Sequence, residues 1–172
     1  MNTDVYRKIA VELAAKAGSS PVAFVLTSSS PKVDTSKVAD GLLQAFGTLQ
    51  MKTARVDVRN KDIFSALDRI SEPDGPAAVL FSNKEGGTAD NAARRAEEIV
   101  QFLHSHYDIA IFSAGPLAGN DAAMLLTAAC GYAVLLEEEK TSRTDEIDRA
   151  LESIRDLGAQ PAIAIRIAQK VT

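Results

Sequence analysis

The chain has one cysteine and no tryptophan among 172 residues, and it has no excess of positive charge. A single cysteine leaves no partner for an intrachain disulfide, and Cys130, within Thr127-Ala128-Ala129-Cys130, is expected to act as a small buried hydrophobe. A net charge of -4 and a pI near 5.2 argue against the broad basic face of a nucleic-acid binder. No apolar run approaches the roughly 20 residues that cross a bilayer, and the start lacks the charged, apolar and small-residue regions of a signal peptide. The chain is therefore read as cytoplasmic, without a membrane span. Metal chemistry also has little to work with. His104 and His106 are two apart near a helix end, so they point to nearly opposite sides and cannot form an i, i+4 chelate.

What is present is an alternation. Short apolar runs at Val22–Thr27, Thr53–Val58, Ala77–Ser82, Ile109–Ser113, Tyr132–Glu137 and Ala162–Ile167 alternate with amphipathic helical patterns, after a first helix at Asp4–Ala17. Such alternation implies right-handed crossovers and a mostly parallel sheet covered on both faces, a three-layer, doubly wound α/β fold. With 46% apolar residues and no repeat or linker, one domain spanning 1–172 is expected. Val38, Leu42, Phe46 and Leu49 fall on one helical stripe, and Ile147, Ala150, Leu151, Ile154 and Leu157 on another. Thr141 or Ser142 is expected to cap the last helix, and Gly158 to end it. Arg94 with Glu98 and Asp145 with Arg149 read as exposed i, i+4 pairs.

The most telling segment is strand, loop, helix. Val22–Thr27 leads through Ser28–Thr35 into a helix over Ser36–Leu49, which is the setting of a phosphate-binding Walker A loop. Such a loop needs glycines to turn backbone N–H groups onto phosphate, a lysine for the outer phosphates, and a hydroxyl for magnesium. Here Lys32 and Asp34 stand at the glycine positions, Thr35 replaces the lysine, and Ser36 alone keeps its type. Lys32 at a glycine position would need a glycine-like backbone, and its side chain would crowd the phosphates. The frame looks like that of a nucleotide enzyme whose chemistry is erased.

With its neighbours, this loop resembles the bacterial tyrosine autokinases of capsule and exopolysaccharide synthesis, within the wider partition and cell-division ATPases. Those kinases open with an acidic residue, an arginine three further on and another three beyond, in a helix that mediates ring-like assembly. Asp4-Val5-Tyr6-Arg7 matches the first half, and Ala10 stands at the second arginine. Thr27-Ser28, Pro31 and Val38-Ala39 keep the loop's frame. The family's Asp-x-Asp-x-Arg strand, whose carboxylates serve magnesium and catalysis, is here Arg55-Val56-Asp57-Val58-Arg59. Tyr107-Asp108 introduces the Walker B strand, but Ser113 takes the place of its essential acid. Asp121 and Thr141 match later landmarks, Arg166 stands where an asparagine reads adenine, and the tyrosine-rich tail has no counterpart among Tyr6, Tyr107 and Tyr132.

The resemblance implies a pathway, polysaccharide synthesis or export. It also implies a partner class: an inner-membrane chain-length or export protein, an active kinase homologue, or further copies of the chain. Membrane association would then come through the partner. The replaced residues imply an inactive, pseudokinase-like binding module with no cofactor, because phosphoryl transfer depends on positioning phosphates and neutralising charge. Nucleotide positions then survive only as vestiges at Lys32, Thr35, Ser36, Asp57 and Ser113, and the interface candidates are Asp4, Arg7 and Arg59. An alternative is a switch or partition-type ATPase relative that still binds ATP, magnesium or another anion through Lys32, Ser36 and the Gly86-Gly87-Thr88 loop. Each candidate also has a plainer reading. Gly86-Gly87 makes a flexible turn capped by Thr88, Asp57 and Asp121 are a solvated carboxylate and a helix-start residue, and Arg7 and Arg59 form surface ion pairs. The Ser28-Ser29-Ser30 cluster lacks the GxSxG elbow of a hydrolase.

Overall fold

The structure is a computed structural model, and it describes residues 3–18, 20–58, 78–79, 89–139 and 143–167. Six strands form one sheet: β1 (Val22–Ser28), β2 (Thr53–Asp57), β3 (Ala78–Val79), β4 (Ile109–Ser113), β5 (Tyr132–Glu138) and β6 (Gln160–Ile167). Their order is β3-β2-β4-β1-β5-β6, and every pairing is parallel. The helices are α1 (Thr3–Ala17), α2 (Thr35–Thr48), α3 (Ala89–His106), α4 (Asp121–Cys130) and α5 (Thr144–Asp156).

Strands buried on both faces explain the unbroken apolar runs. On one face Phe24, Leu26, Ile111 and Leu136 meet Ile9 and Leu13 of α1 and Leu42 and Phe46 of α2. On the other, Val25, Val56, Phe112 and Leu135 meet Leu103 of α3, Leu126 of α4 and Ile154 of α5. Both expected stripes face the sheet. Leu49, Ile147, Ala150, Leu151 and Leu157 are the partly buried margins of those stripes.

The crossover from β1 to β2 runs one way along the sheet with α2 on one face. That from β4 to β5 runs the other way with α4 on the opposite face, as right-handed connections require. The direction reverses between β1 and β4, so their carboxyl ends leave a crevice at the topological switch point.

Two sequence expectations change. Thr141 and Ser142 lie outside the described residues, and the N-cap of α5 is Arg143, whose backbone N–H donates to Glu146 at 3.3 Å. The helix begins later than the hydroxyl pattern suggested, because the carboxylate three residues on supplies the cap. Cys130 is half-buried rather than fully enclosed, although burial still pushes its thiol above the ordinary range. Gly158 does follow the last turn of α5, with φ +76° and its N–H on the Arg155 carbonyl. The pairs Arg94–Glu98 and Asp145–Arg149, each at 3.3 Å, are exposed as expected.

The amino ends of the strands are tied by the Tyr-Asp dipeptide. The Asp108 carboxylate accepts the Lys52 N–H at 2.7 Å, its carbonyl accepts the Val22 N–H at 3.0 Å, and the Lys52 ammonium lies over the Tyr107 ring. At this end, the dipeptide joins β1, β2 and β4.

Candidate functional site

A cleft of about 660 Å³ opens at the switch point. One wall is the loop after β1, with Pro31, Lys32, Val33 and Asp34, and the other is the loop after β4, with Pro116, Ala118 and Gly119. The volume lies within the range of small-ligand pockets. The crevice at the switch point therefore remains open.

Its chemistry comes from the start of α2. Asp34 is the N-cap, and its carboxylate accepts the Ser36 N–H at 3.1 Å. Lys37 approaches the same carboxylate at 3.9 Å. The amide groups that make a helix N-terminus attractive to anions are thus met by an anion of the chain itself. Thr35 is buried in the first turn and accepts a 3.2 Å hydrogen bond from the Ser113 hydroxyl at the end of β4. The two residues that the resemblance aligned with the Walker lysine and the Walker B acid therefore meet in space, as two neutral hydroxyls.

Lys32 does not have the glycine-like backbone its alignment with a glycine would demand. Among the described residues Gln50 is the one non-glycine with positive φ. The loop instead folds on itself: Ser28 donates to the Ser30 carbonyl at 2.9 Å, and the Val33 N–H bonds the same carbonyl at 3.3 Å. Without a left-handed turn here, the backbone amides do not curl into a phosphate cradle. Lys32 is among the residues that line the cleft.

Asp57 is exposed at the end of β2, in register with Ser113. Arg55, at the place of the first family carboxylate, forms a 2.9 Å ion pair with Asp40 of α2. Arg166, at the adenine-reading position, pairs with the nearly buried Glu137 at 3.6 Å, and these two face each other in the β5–β6 register. Asp121 is exposed as the first residue of α4. Among the described residues, no three His, Cys, Asp or Glu side chains gather as a metal site would need. His106 stacks on Phe102 with ring centroids 4.3 Å apart. His104 has its Nε2 buried without a hydrogen-bond partner, and desolvation lowers its pKa.

Asp4 and Arg7 are exposed on α1, together with Val5 and Val11, which are 43% and 48% exposed. Ala10 is fully buried, so the position matching the second family arginine points into the core and not toward a neighbour. Arg59, Gly86, Gly87 and Thr88 lie outside the described residues.

Sequence reasoning missed Asn120 and Gly41. Asn120 donates to the Val58 carbonyl and accepts from the Ala123 N–H, both at 3.1 Å, so it joins β2 to the start of α4. Its place just before a helix was a cap signal. Gly41, in the middle of α2, leaves room for the Tyr6 ring, which a Cβ there would strike. A glycine inside an amphipathic helix was the available hint of such close approach.

No protein-family model matches the chain, and no characterised protein matches it by sequence. Solved structures do. The kinase domain of the Escherichia coli tyrosine kinase ETK superposes with a TM-score of 0.77 at 12% identity, covering 99% of this chain and 77% of that one. The chimerical protein CapA2B2 gives 0.73 at 19% identity, covering 95% and 84%. A ParA family ATPase from Chlorobium tepidum gives 0.57 at 12% identity, covering 90% and 78%. The chain has the MinD/ParA-type P-loop NTPase fold, in the form carried by bacterial tyrosine kinase domains.

Proposed function

We propose that this chain is a catalytically inactive relative of the polysaccharide tyrosine autokinases and works as a protein-binding module. Its partner class is an inner-membrane chain-length or export protein, or an active kinase homologue, bound from the cytoplasmic side. The observation that carries the reading is the neutral Thr35–Ser113 hydrogen bond, which replaces a lysine and an aspartate by groups that carry no charge.

Phosphoryl transfer needs cations on the phosphates and a carboxylate for magnesium, with donors preorganised toward developing charge. In this cleft the helix start is capped by Asp34, and a nucleotide's phosphates would meet that carboxylate instead of free amides. Hydroxyls are weak magnesium ligands, and the Asp34 carboxylate in the cleft is already engaged by the Ser36 N–H. The residues present do not fit a magnesium–nucleotide complex, and no reaction step is assigned to one. What remains suited to function is surface: the exposed α1 face with Asp4 and Arg7, and the open carboxyl end of the sheet. A stable pairwise interface there buries on the order of 1,200 to 2,000 Å² in total.

A thermal-shift series with ATP, ADP and their magnesium complexes tests this, with no shift expected at millimolar nucleotide. A ligand at 100 times its dissociation constant stabilises by about 2.7 kcal/mol, a rise of roughly 5 to 10 °C for a domain this size. A magnesium-dependent rise of that order would overturn the inactive reading.

Two observations favour a second reading, an anion or nucleotide switch. Lys32 lines the cleft without an ion-pair partner among the described residues, and the Ser36 hydroxyl is buried without a hydrogen bond. That reading requires ligand-dependent stabilisation that disappears in both Lys32→Ala and Ser36→Ala.

A further inference from the structure

The helices on the α3–α5 face of the sheet differ in what they show to solvent. The crossovers run β3 to β4, β4 to β5 and β5 to β6, so α3, α4 and α5 lie side by side in that order and point the same way. α3 and α5 carry exposed ion pairs four residues apart, Arg94 with Glu98 and Asp145 with Arg149. α4 has a single charged residue, Asp121, at its first position. Beyond it the exposed residues are Met124, at 36% exposure, and Ala128, edged by the half-buried Leu125. A surface helix ordinarily turns charge outward, so this apolar stripe between two charged helices is the outer side of a contact.

The charges on either side point to a second copy of the chain. Consider a two-fold axis that crosses α4 at right angles between Met124 and Ala128, in the plane where two such layers meet. It sets α4 antiparallel to its copy, with Met124 against the small Ala128 of the partner subunit. The two Asp121 carboxylates then lie at opposite ends, whereas a parallel pairing would set them side by side. The same axis lays α3 on α3 and α5 on α5, also antiparallel. Opposite charges at i and i+4 exchange ends under such an axis, which brings Arg94 toward Glu98 of the partner subunit and Asp145 toward Arg149 of the partner subunit. Exposed ion pairs add little energy, so they set the register while the stripe supplies the attraction.

We propose that the outer face of α4, flanked by α3 and α5, is a two-fold interface that joins two copies of this chain. A layer three helices wide and 10 to 18 residues long offers roughly 450 to 800 Å² per copy, at or just below a standard interface, so the dimer is weak. α1 packs on the opposite face of the sheet and stays outward in both copies. The inference goes beyond the binding-module reading and does not rest on it.

Sedimentation velocity of the full chain from about 1 to 200 μM is expected to show monomer passing into dimer. Ala128→Glu places a carboxylate in the stripe and is expected to raise the dissociation constant about ten-fold or more, while Val11→Glu on α1 changes it less than about two-fold. A monomer at every concentration, or a dimer lost in Val11→Glu and kept in Ala128→Glu, overturns the proposal. A second arm uses another helix, so the test does not rest on one variant. Arg94→Glu is expected to weaken the dimer about three-fold or more, and adding Glu98→Arg to restore it within about two-fold. No weakening by Arg94→Glu, or no recovery in the double variant, overturns the antiparallel pairing.

Discussion

The two ends of the sheet treat the same inheritance differently. At the amino ends, Tyr107-Asp108 keeps its residue types and spends them on structure, with the Asp108 carboxylate and carbonyl joining β1 and β2 to β4. At the carboxyl ends, Thr35 and Ser113 meet as two neutral hydroxyls at 3.2 Å. The strands and helices between the two ends rest on apolar packing that neither set of polar residues supplies. The frame therefore does not depend on charge at the carboxyl end, whereas the dipeptide at the other end ties three strands together.

The sharpest way to break this comparison is to return charge to the carboxyl end. Ser113 is completely buried, and Ser113→Asp would place a carboxylate beside a threonine with no cation at hand. An uncompensated buried charge costs about 3–5 kcal/mol, and adding Thr35→Lys is expected to recover a large part of it. Urea unfolding of the single and double variants measures both. A Ser113→Asp variant as stable as wild type would show that water already hydrates this position.

Next in size is the contact of α1 with α2. Gly41→Ala gains up to about 1 kcal/mol of helix propensity, but the new Cβ strikes the Tyr6 ring, and overpacking costs about 1–3 kcal/mol. Net destabilisation is expected, turning into stabilisation in the Tyr6→Ala background. A double-mutant cycle measured by chemical denaturation tests the change of sign.

Smaller effects compare the two ends directly. Asp34→Ala removes the cap of α2 and Asp108→Ala the acceptor for the Lys52 N–H, and each is expected to cost about 1 kcal/mol. Equal losses from an aspartate at each end would mean that Asp34 has become as structural as Asp108. A gain in stability from Asp34→Ala in the presence of phosphate would instead reveal an anion site that the carboxylate blocks.

The smallest effect is a pH dependence. Desolvation lowers the pKa of His104 in the folded chain below the ordinary 6.5, so the unfolded chain takes up the proton first. Stability is then unpenalised above about pH 6.5 and falls as the pH drops below it. Between pH 7.5 and 5, wild type should lose more of its Tm than His104→Gln does, and equal losses would remove His104 from the account.

The frame was readable in the sequence because buried strands leave uninterrupted apolar runs. Ile109–Ser113 matches β4 end to end, and Val22–Thr27 misses only the last residue of β1. β6 begins two residues before Ala162, since Gln160 and Pro161 look like a turn and yet align with Tyr132 and Ala133 in the ladder. Departures in charge from the resembling family's pattern at Thr35, Arg55 and Ser113 were also readable. Their new partners were not, because a local pattern cannot say that Arg55 will find Asp40 or that Ser113 will donate to Thr35. Ala10 shows the same limit: its spacing matches the second arginine of the resembling family's helix, and the packing of α1 turns it inward.

Asn120 has one more consequence. With its amide held between Val58 and Ala123, and with the Ala114 N–H on Leu26 and the Thr27 hydroxyl on Gly115, the loop after β4 is pinned to both neighbouring strands and to α4. The cleft is therefore a vise with one fixed jaw. That fixed jaw sets the shape an occupant must match.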